Sequence, residues 1–322
     1  MVYFACMTGL KILLTYLIFF VVIITFVYAI PSSNAFKKYE FVERWGINGS
    51  GDGQFDVPHS MVFDKSGNMY ITDTHNNRVQ KFSSDGEFIG KWGSEGSGDG
   101  QFINPEGIDI DSKGAIYVAD TGNSRMQKFS SDGEFIGKWG SEGSGDGQFS
   151  NHAHGIVVDS SDNVYVTDRF NFNVQKFSSD GEFIGKWGSE GSGDGQFDEP
   201  HSSVIDSSGR VYVSDMNNHR IQIFSSDGEF IGKWGSKGSG DGQFVLPLGI
   251  GVDSNNNVYV VDQGNNSVQQ FSNNGSFIAK MKINQTSQDR STVLEDIELN
   301  KSDDLFLTDR GQHNIIVFNL VQ

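Results

Sequence analysis

"GSGDGQFDVPHSMVFDKSGNMYITDTHNNRVQKFSSDGEFIGKWG", residues Gly49 to Gly93, is one full period of a pattern that fills most of the chain. Its first seven residues return verbatim at Gly96, Gly143, Gly191 and Gly238. Trp45, Trp92, Trp139, Trp187 and Trp234 follow one another at 47, 47, 48 and 47 residues. Asp73, Asp120, Asp168, Asp215, Asp262 and Asp309 mark six units. That period suits a four-stranded propeller blade and is too long for a leucine-rich or ankyrin repeat.

Within the unit, "SMVFD" is a short apolar run ended by the turn "DKSG". "NMYITD" reads as a second strand and "RVQKF" as a third, with "THNN" turning between them. "SSDG" is a hairpin turn, and "EFIGKW" is the fourth strand. No helical period occurs outside the N-terminal segment. The expectation is an all-β fold, a six-bladed β-propeller of four-stranded blades. "EFVERWG" (Glu40–Gly46) is a fourth strand with no first three, and the chain ends on a third strand, "NIIVFNLVQ". The N-terminal strand is therefore expected to complete the last blade and close the ring.

The glycine-rich "GSGDGQF" has no helix after it, which excludes a phosphate-binding loop, and one Asp is too few for an EF-hand. It reads as the crossover between blades, with positive-φ glycines and a Phe anchored in the core. The Asp closing each second strand reads as a turn cap, and the recurring Trp and Phe as blade packing.

Ile12 to Ile30 is a run of nineteen residues without a charge. Residues 1–35 are expected to form one hydrophobic helix, either a membrane anchor through residues 12–30 or a signal peptide cleaved near Ala35. In both cases residues 36–322 form the propeller outside the cytoplasm, at the cell surface or secreted. The lone Cys6 excludes an intrachain disulfide and a cysteine-ligated zinc domain. Residues 36–322 carry 23 basic and 41 acidic side chains, a net charge of −18 that repels phosphate backbones and excludes nucleic acid as the expected partner.

The period resembles the NHL repeat, from about Phe41 to the C-terminus in six copies, the last diverged. The resemblance implies a propeller and leaves its activity open.

Near-identical copies carry their own control: function is sought where they differ. Fourteen residues before each marker Asp stand His59, Glu106, His154, His201, Leu248 and Glu295. Just after it come "THNN", "TGNS", "RFNF", "MNNH", "QGNN" and "RGQH". Both sets belong at one mouth of the channel, the first nearest the axis. All seven histidines fall in these stretches.

His59, His154 and His201 are candidate ligands for zinc or another divalent metal. Glu106 and Glu295 are candidates for a further ligand or general base, and Arg169 and Arg310 for an anion clamp. His75, His152, Phe170, Phe172, His219 and His313 are placed on the ligand face. "VPHS", "HAHG" and "EPHS" resemble the zinc-histidine motifs of the peptide-amidating lyases, and Arg169 resembles a substrate-contacting arginine there. In those lyases the resemblance implies histidines from alternate blades; here they come from the first, third and fourth, and no tyrosine matches the family's catalytic group.

Two functions follow. One is a membrane-anchored or secreted interaction module that binds a protein, peptide or glycan at this face. The other is a metal-dependent lyase or hydrolase with its site at the channel mouth.

Overall fold

The computed structural model describes residues 38–283 and 292–321. The hydrophobic segment 12–30 lies outside them. Among the described residues no helix is long and apolar enough to cross a membrane.

Those residues form six four-stranded sheets. Blade 1 contains Pro58–Phe63, Met69–Asp73, Arg78–Phe82 and Phe88–Trp92, each strand antiparallel to the next. The inner strands of blades 2 to 6 are Pro105–Ile110, Ala153–Val158, Pro200–Ile205, Pro247–Val252 and Leu294–Leu299. In blade 6 the outermost position is taken by Lys38–Trp45, which pairs antiparallel with Asn314–Val321 from Lys38 opposite Val321 to Trp45 opposite Ile315.

Alternation weakens toward the centre of each blade. In Met69–Asp73 all five residues are buried, because a neighbouring blade covers each face. The outer strand Phe88–Trp92 keeps the period of two, with Ile89 and Lys91 exposed. The core consequently lies between blades. One cluster joins Val62, Tyr70 and Val79 of blade 1 to Ile108, Ile116 and Phe129 of blade 2, with Phe102 of the intervening crossover.

The crossovers do what their sequence suggests. Phe55, Phe102, Phe149, Phe197 and Phe244 are all buried, and Gly53 turns at φ +71°. Each Trp covers a hairpin of the following blade: a Cβ on Gly86 would stand 2.6 Å from the Trp45 ring, so only glycine fits there.

The marker Asp is more than a local cap. Asp73 accepts hydrogen bonds from the Asp56 backbone (2.7 Å), Arg78 Nε (2.7 Å), Gln80 Nε2 (3.0 Å) and Asn76 Nδ2. Arg78 then donates to the carbonyls of Ser50, Gly51 and Gln54, gripping the crossover. Blades 2 and 4 repeat this with Arg125 and Arg220. In blade 6, Arg44 of the N-terminal strand reaches Asp309 instead, at 3.2 Å.

Arg125→Ala would leave Asp120 buried without its cation. Removing one partner of such a pair costs about 3–5 kcal/mol. Urea denaturation should show that loss, whereas Lys138→Ala, which breaks an exposed pair with Asp99, should cost no more than about 1 kcal/mol. Equal effects of the two substitutions would remove the hub from its supporting role.

Candidate metal centre at the channel mouth

Each inner strand begins at the channel mouth and delivers one side chain from the same register to the axis. The structure brings together His59, His154, His201 and Glu295, from blades 1, 3, 4 and 6; one ligand atom of each lies within 4.8 Å of the others. All four are buried, between 1% and 6% exposed. His59 Nε2 is 3.1 Å from His154 Nε2 and 3.3 Å from Glu295 Oε1, and His201 Nε2 is 3.1 Å from the same oxygen. Ligands about 2.0–2.1 Å from one ion are spaced at roughly 3.3 Å along a tetrahedral edge, so these separations fit a divalent cation. His154 Nδ1 sits 3.2 Å from the His201 carbonyl, which fixes its Nε2 as the free nitrogen.

The electrostatics agree with a cation site. Burial pushes His154 well below the usual histidine range, and the nearby His201 and His59 push it further. His201 is also lowered, chiefly by burial. Burial lowers His59 too, but hydrogen bonding and charge from Glu295 outweigh it and its net shift is upward. For Glu295 burial is opposed by His201 and His59, which hold the carboxyl well below its usual range. Arg310 Nε lies 3.1 Å from Glu295 Oε2, on the oxygen facing away from the histidines.

Glu106 stands beside the cluster, its Oε2 3.5 Å from His154 Nε2 and buried without a hydrogen-bond partner. Burial raises its pKa. Leu248 closes the fifth position as an apolar wall. Arg169 is held by Glu199, its Nε donating at 2.9 Å.

The other ligand-face residues separate by role. His219 Nδ1 accepts the Leu246 N–H and His313 Nδ1 the Val57 N–H, as Asn77 Oδ1 accepts that of Asn104. Phe172 packs against the core between blades 3 and 4. His75 is exposed beside Asp56. His152 and Phe170 stack on each other.

Below the cluster runs a cavity of about 110 Å³ lined also by Asp109, Asp296 and Glu298. Sequence reading missed these three. For Asp109 and Glu298 a signal existed three residues farther along the strand, where Val62, Asp109, Val157, Val204, Gly251 and Glu298 occupy equivalent positions and two of them are acids. Burial raises Asp109 to about 7 and Asp296 to about 6. Glu298 is raised well above the carboxylate range, by burial and by both neighbours.

A profile described as a six-bladed β-propeller matches residues 57–142 and 199–292, and an NHL-repeat profile matches residues 151–177. The chain is an NHL-repeat six-bladed β-propeller. Human NHL repeat-containing protein 3 is 38% identical to this propeller over 48 residues, which is 14% of either chain. Among solved structures, a streptogramin B lyase superposes with a TM-score of 0.63 at 14% identity, over 90% of this chain and 100% of that chain. A virginiamycin B lyase from Staphylococcus aureus gives 0.62 at 14%, over 88% and 89%. A gluconolactonase from Xanthomonas campestris gives 0.62 at 14%, over 88% and 98%. At such identities the likeness is one of fold.

Asp109 supplies a pH prediction for the propeller. Its folded pKa of about 7 lies above the unfolded value of about 3.9. Between those values the folded protein holds a proton that the unfolded chain has released, so stability falls as pH rises through that window. Asp109→Asn should therefore raise the melting temperature relative to wild type more at pH 8 than at pH 4. Parallel melting profiles would place the titration elsewhere.

Proposed function

We propose that this propeller holds a divalent cation among His59, His154, His201 and Glu295 and acts there as a lyase or hydrolase on a small anionic substrate. The convergence of four buried donor atoms, with the His59–His154, His59–Glu295 and His201–Glu295 separations at 3.1, 3.3 and 3.1 Å, carries the reading. Arg310 balances one charge there, but Glu295 and Glu106 put two buried carboxylates beside the histidines, and a second buried negative charge is costly unless a further cation or a proton balances it.

When bound, the cation supplies Lewis-acid polarisation of an oxygen or a water of lowered pKa. Glu106 is the group placed to accept or return a proton. It is the ring carboxylate outside the ligand group, its Oε2 buried 3.5 Å from His154 Nε2, and burial raises its pKa, the direction a general base needs. Arg310 forms an ion pair with Glu295 at Oε2, 3.1 Å away. Arg169 stands in blade 3 at the position Arg310 holds in blade 6, and the two cations flank the mouth as an anion clamp in an otherwise acidic chain. Zinc fits three histidines and a carboxylate, as do other divalent ions.

The uncharged run Ile12–Ile30 supports an extracytoplasmic location, by anchoring or export. A binding module without turnover would use the same mouth; the exposed Phe170 favours that second reading and would take a protein, peptide or glycan.

Metal analysis of the purified protein after equilibration with divalent ions decides between presence and absence of the centre. One equivalent should be retained at neutral pH, and a His154→Ala/His201→Ala variant should retain none. No stoichiometric metal in the wild type, or full retention in the double variant, would end the proposal.

A further inference from the structure

Blade 3 departs from blades 1, 2, 4 and 5 at the channel mouth. The spacing from Trp139 to Trp187 is 48 residues where the other tryptophan spacings are 47, and Ala153 stands where most blades have proline. In blades 1, 2, 4 and 5 the residue before that proline is left-handed: Val57 at φ +60°, Asn104 at +48°, Glu199 at +54° and Leu246 at +57°. Blade 3 has no such residue at this place, because the extra one lets the chain enter the strand without the tight turn. The detour carries His152 out over the face.

What it meets there is Phe170. Their ring centroids are 4.2 Å apart with planes inclined at 36°, and the Arg169 guanidinium lies 5.4 Å from the Phe170 ring. The Arg169 N–H donates to the His152 carbonyl at 3.0 Å, and His152 Nδ1 is 3.1 Å from Asn151 Oδ1. Phe170 is thus held on one side, yet 43% of it is exposed. The other large exposed apolar side chains among the described residues all belong to the terminal and outer strands or the first crossover. The positions equivalent to Phe170 hold His75, Gly122, Asn217, Gly264 and Gly311, so the repeat framework does not require an aromatic ring here.

The shelf and the metal centre both stand at the entry to the inner strand of blade 3. His154 is two residues beyond His152, and its ring centroid is 3.8 Å from that of His201. Arg169, whose guanidinium lies against Phe170, is near enough to His154 and His201 for its charge to lower both.

We infer that Phe170 and His152 form a specificity shelf that receives a planar aromatic group of a ligand whose polar head engages the His59–His154–His201–Glu295 centre. This rests on the metal reading above and adds the chemical class of what that centre accepts. A ring fixed by two neighbours stacks on an incoming ring without losing its own rotamer freedom. Such a pair adds preference beyond simple area burial.

Two probes with the same metal-binding head separate shelf from centre: acetohydroxamate and benzohydroxamate, titrated calorimetrically into the zinc-loaded full-length chain. Wild type should bind benzohydroxamate about tenfold more tightly. Phe170→Ala should bring the ratio close to one while zinc content and acetohydroxamate affinity stay unchanged, and Phe170→Tyr should restore it. A ratio near one in the loaded wild type, or a ratio that survives Phe170→Ala, overturns the shelf. Should the chain take up no metal, the centre fails separately. The shelf is then tested on the metal-free chain with benzamide by NMR. Perturbation of the His152 ring signals in wild type but not in Phe170→Ala sustains the shelf; no perturbation overturns it.

Discussion

The buried aspartate that ends each second strand is the contact on which the architecture depends. It has no water to solvate it, so it gathers donors from several places: a crossover N–H in every blade, an Asn of the following turn in blades 1 to 5, a Gln of the third strand in blades 1, 2, 4 and 5, and an arginine in blades 1, 2, 4 and 6. Because the crossover N–H belongs to the segment leading into the inner strand, the same carboxylate fixes where that strand starts. The start of the inner strand decides which residue faces the axis at the mouth. The identity of the channel ring is thus set by a contact whose members are repeated almost unchanged around the molecule.

The repeats made the fold readable. Period, turn residues and strand patterns all recur, and six copies leave little freedom in matching one to the next. The ring at the mouth was readable for the same reason: once the units are aligned, His59, Glu106, His154, His201, Leu248 and Glu295 form one column. What alignment cannot tell is which members of a column meet. Four point their donor atoms at one another, Glu106 stays at the side, and Leu248 contributes only bulk.

Histidine placement was a weaker guide, because residue type does not reveal which nitrogen is occupied. His219 and His313 each spend Nδ1 on a backbone N–H of the next blade, a task Asn77 performs with an amide oxygen. Phe172 occupies the same left-handed position in blade 3 and turns inward. The deeper carboxylates escaped notice because the equivalent positions of most other blades hold valine, serine or glycine, in strands that read as ordinary core. Their energetic role depends on a cavity which only the closed ring creates.

The pairing of Lys38–Trp45 with Asn314–Val321 also bears on how such a gene can change. Near-identical tandem copies invite misaligned recombination, which adds or removes a whole unit at once. In an open solenoid that event would lengthen or shorten the molecule and little else. Here Lys38–Trp45 and Asn314–Val321 must meet within one sheet, and His59, His154, His201 and Glu295 must converge from blades 1, 3, 4 and 6. A seventh unit would widen the channel and draw His59 and Glu295 away from His154 and His201. Selection on the centre would therefore act as a counter of blades, preserving the number six while single residues around the rim remain free to vary.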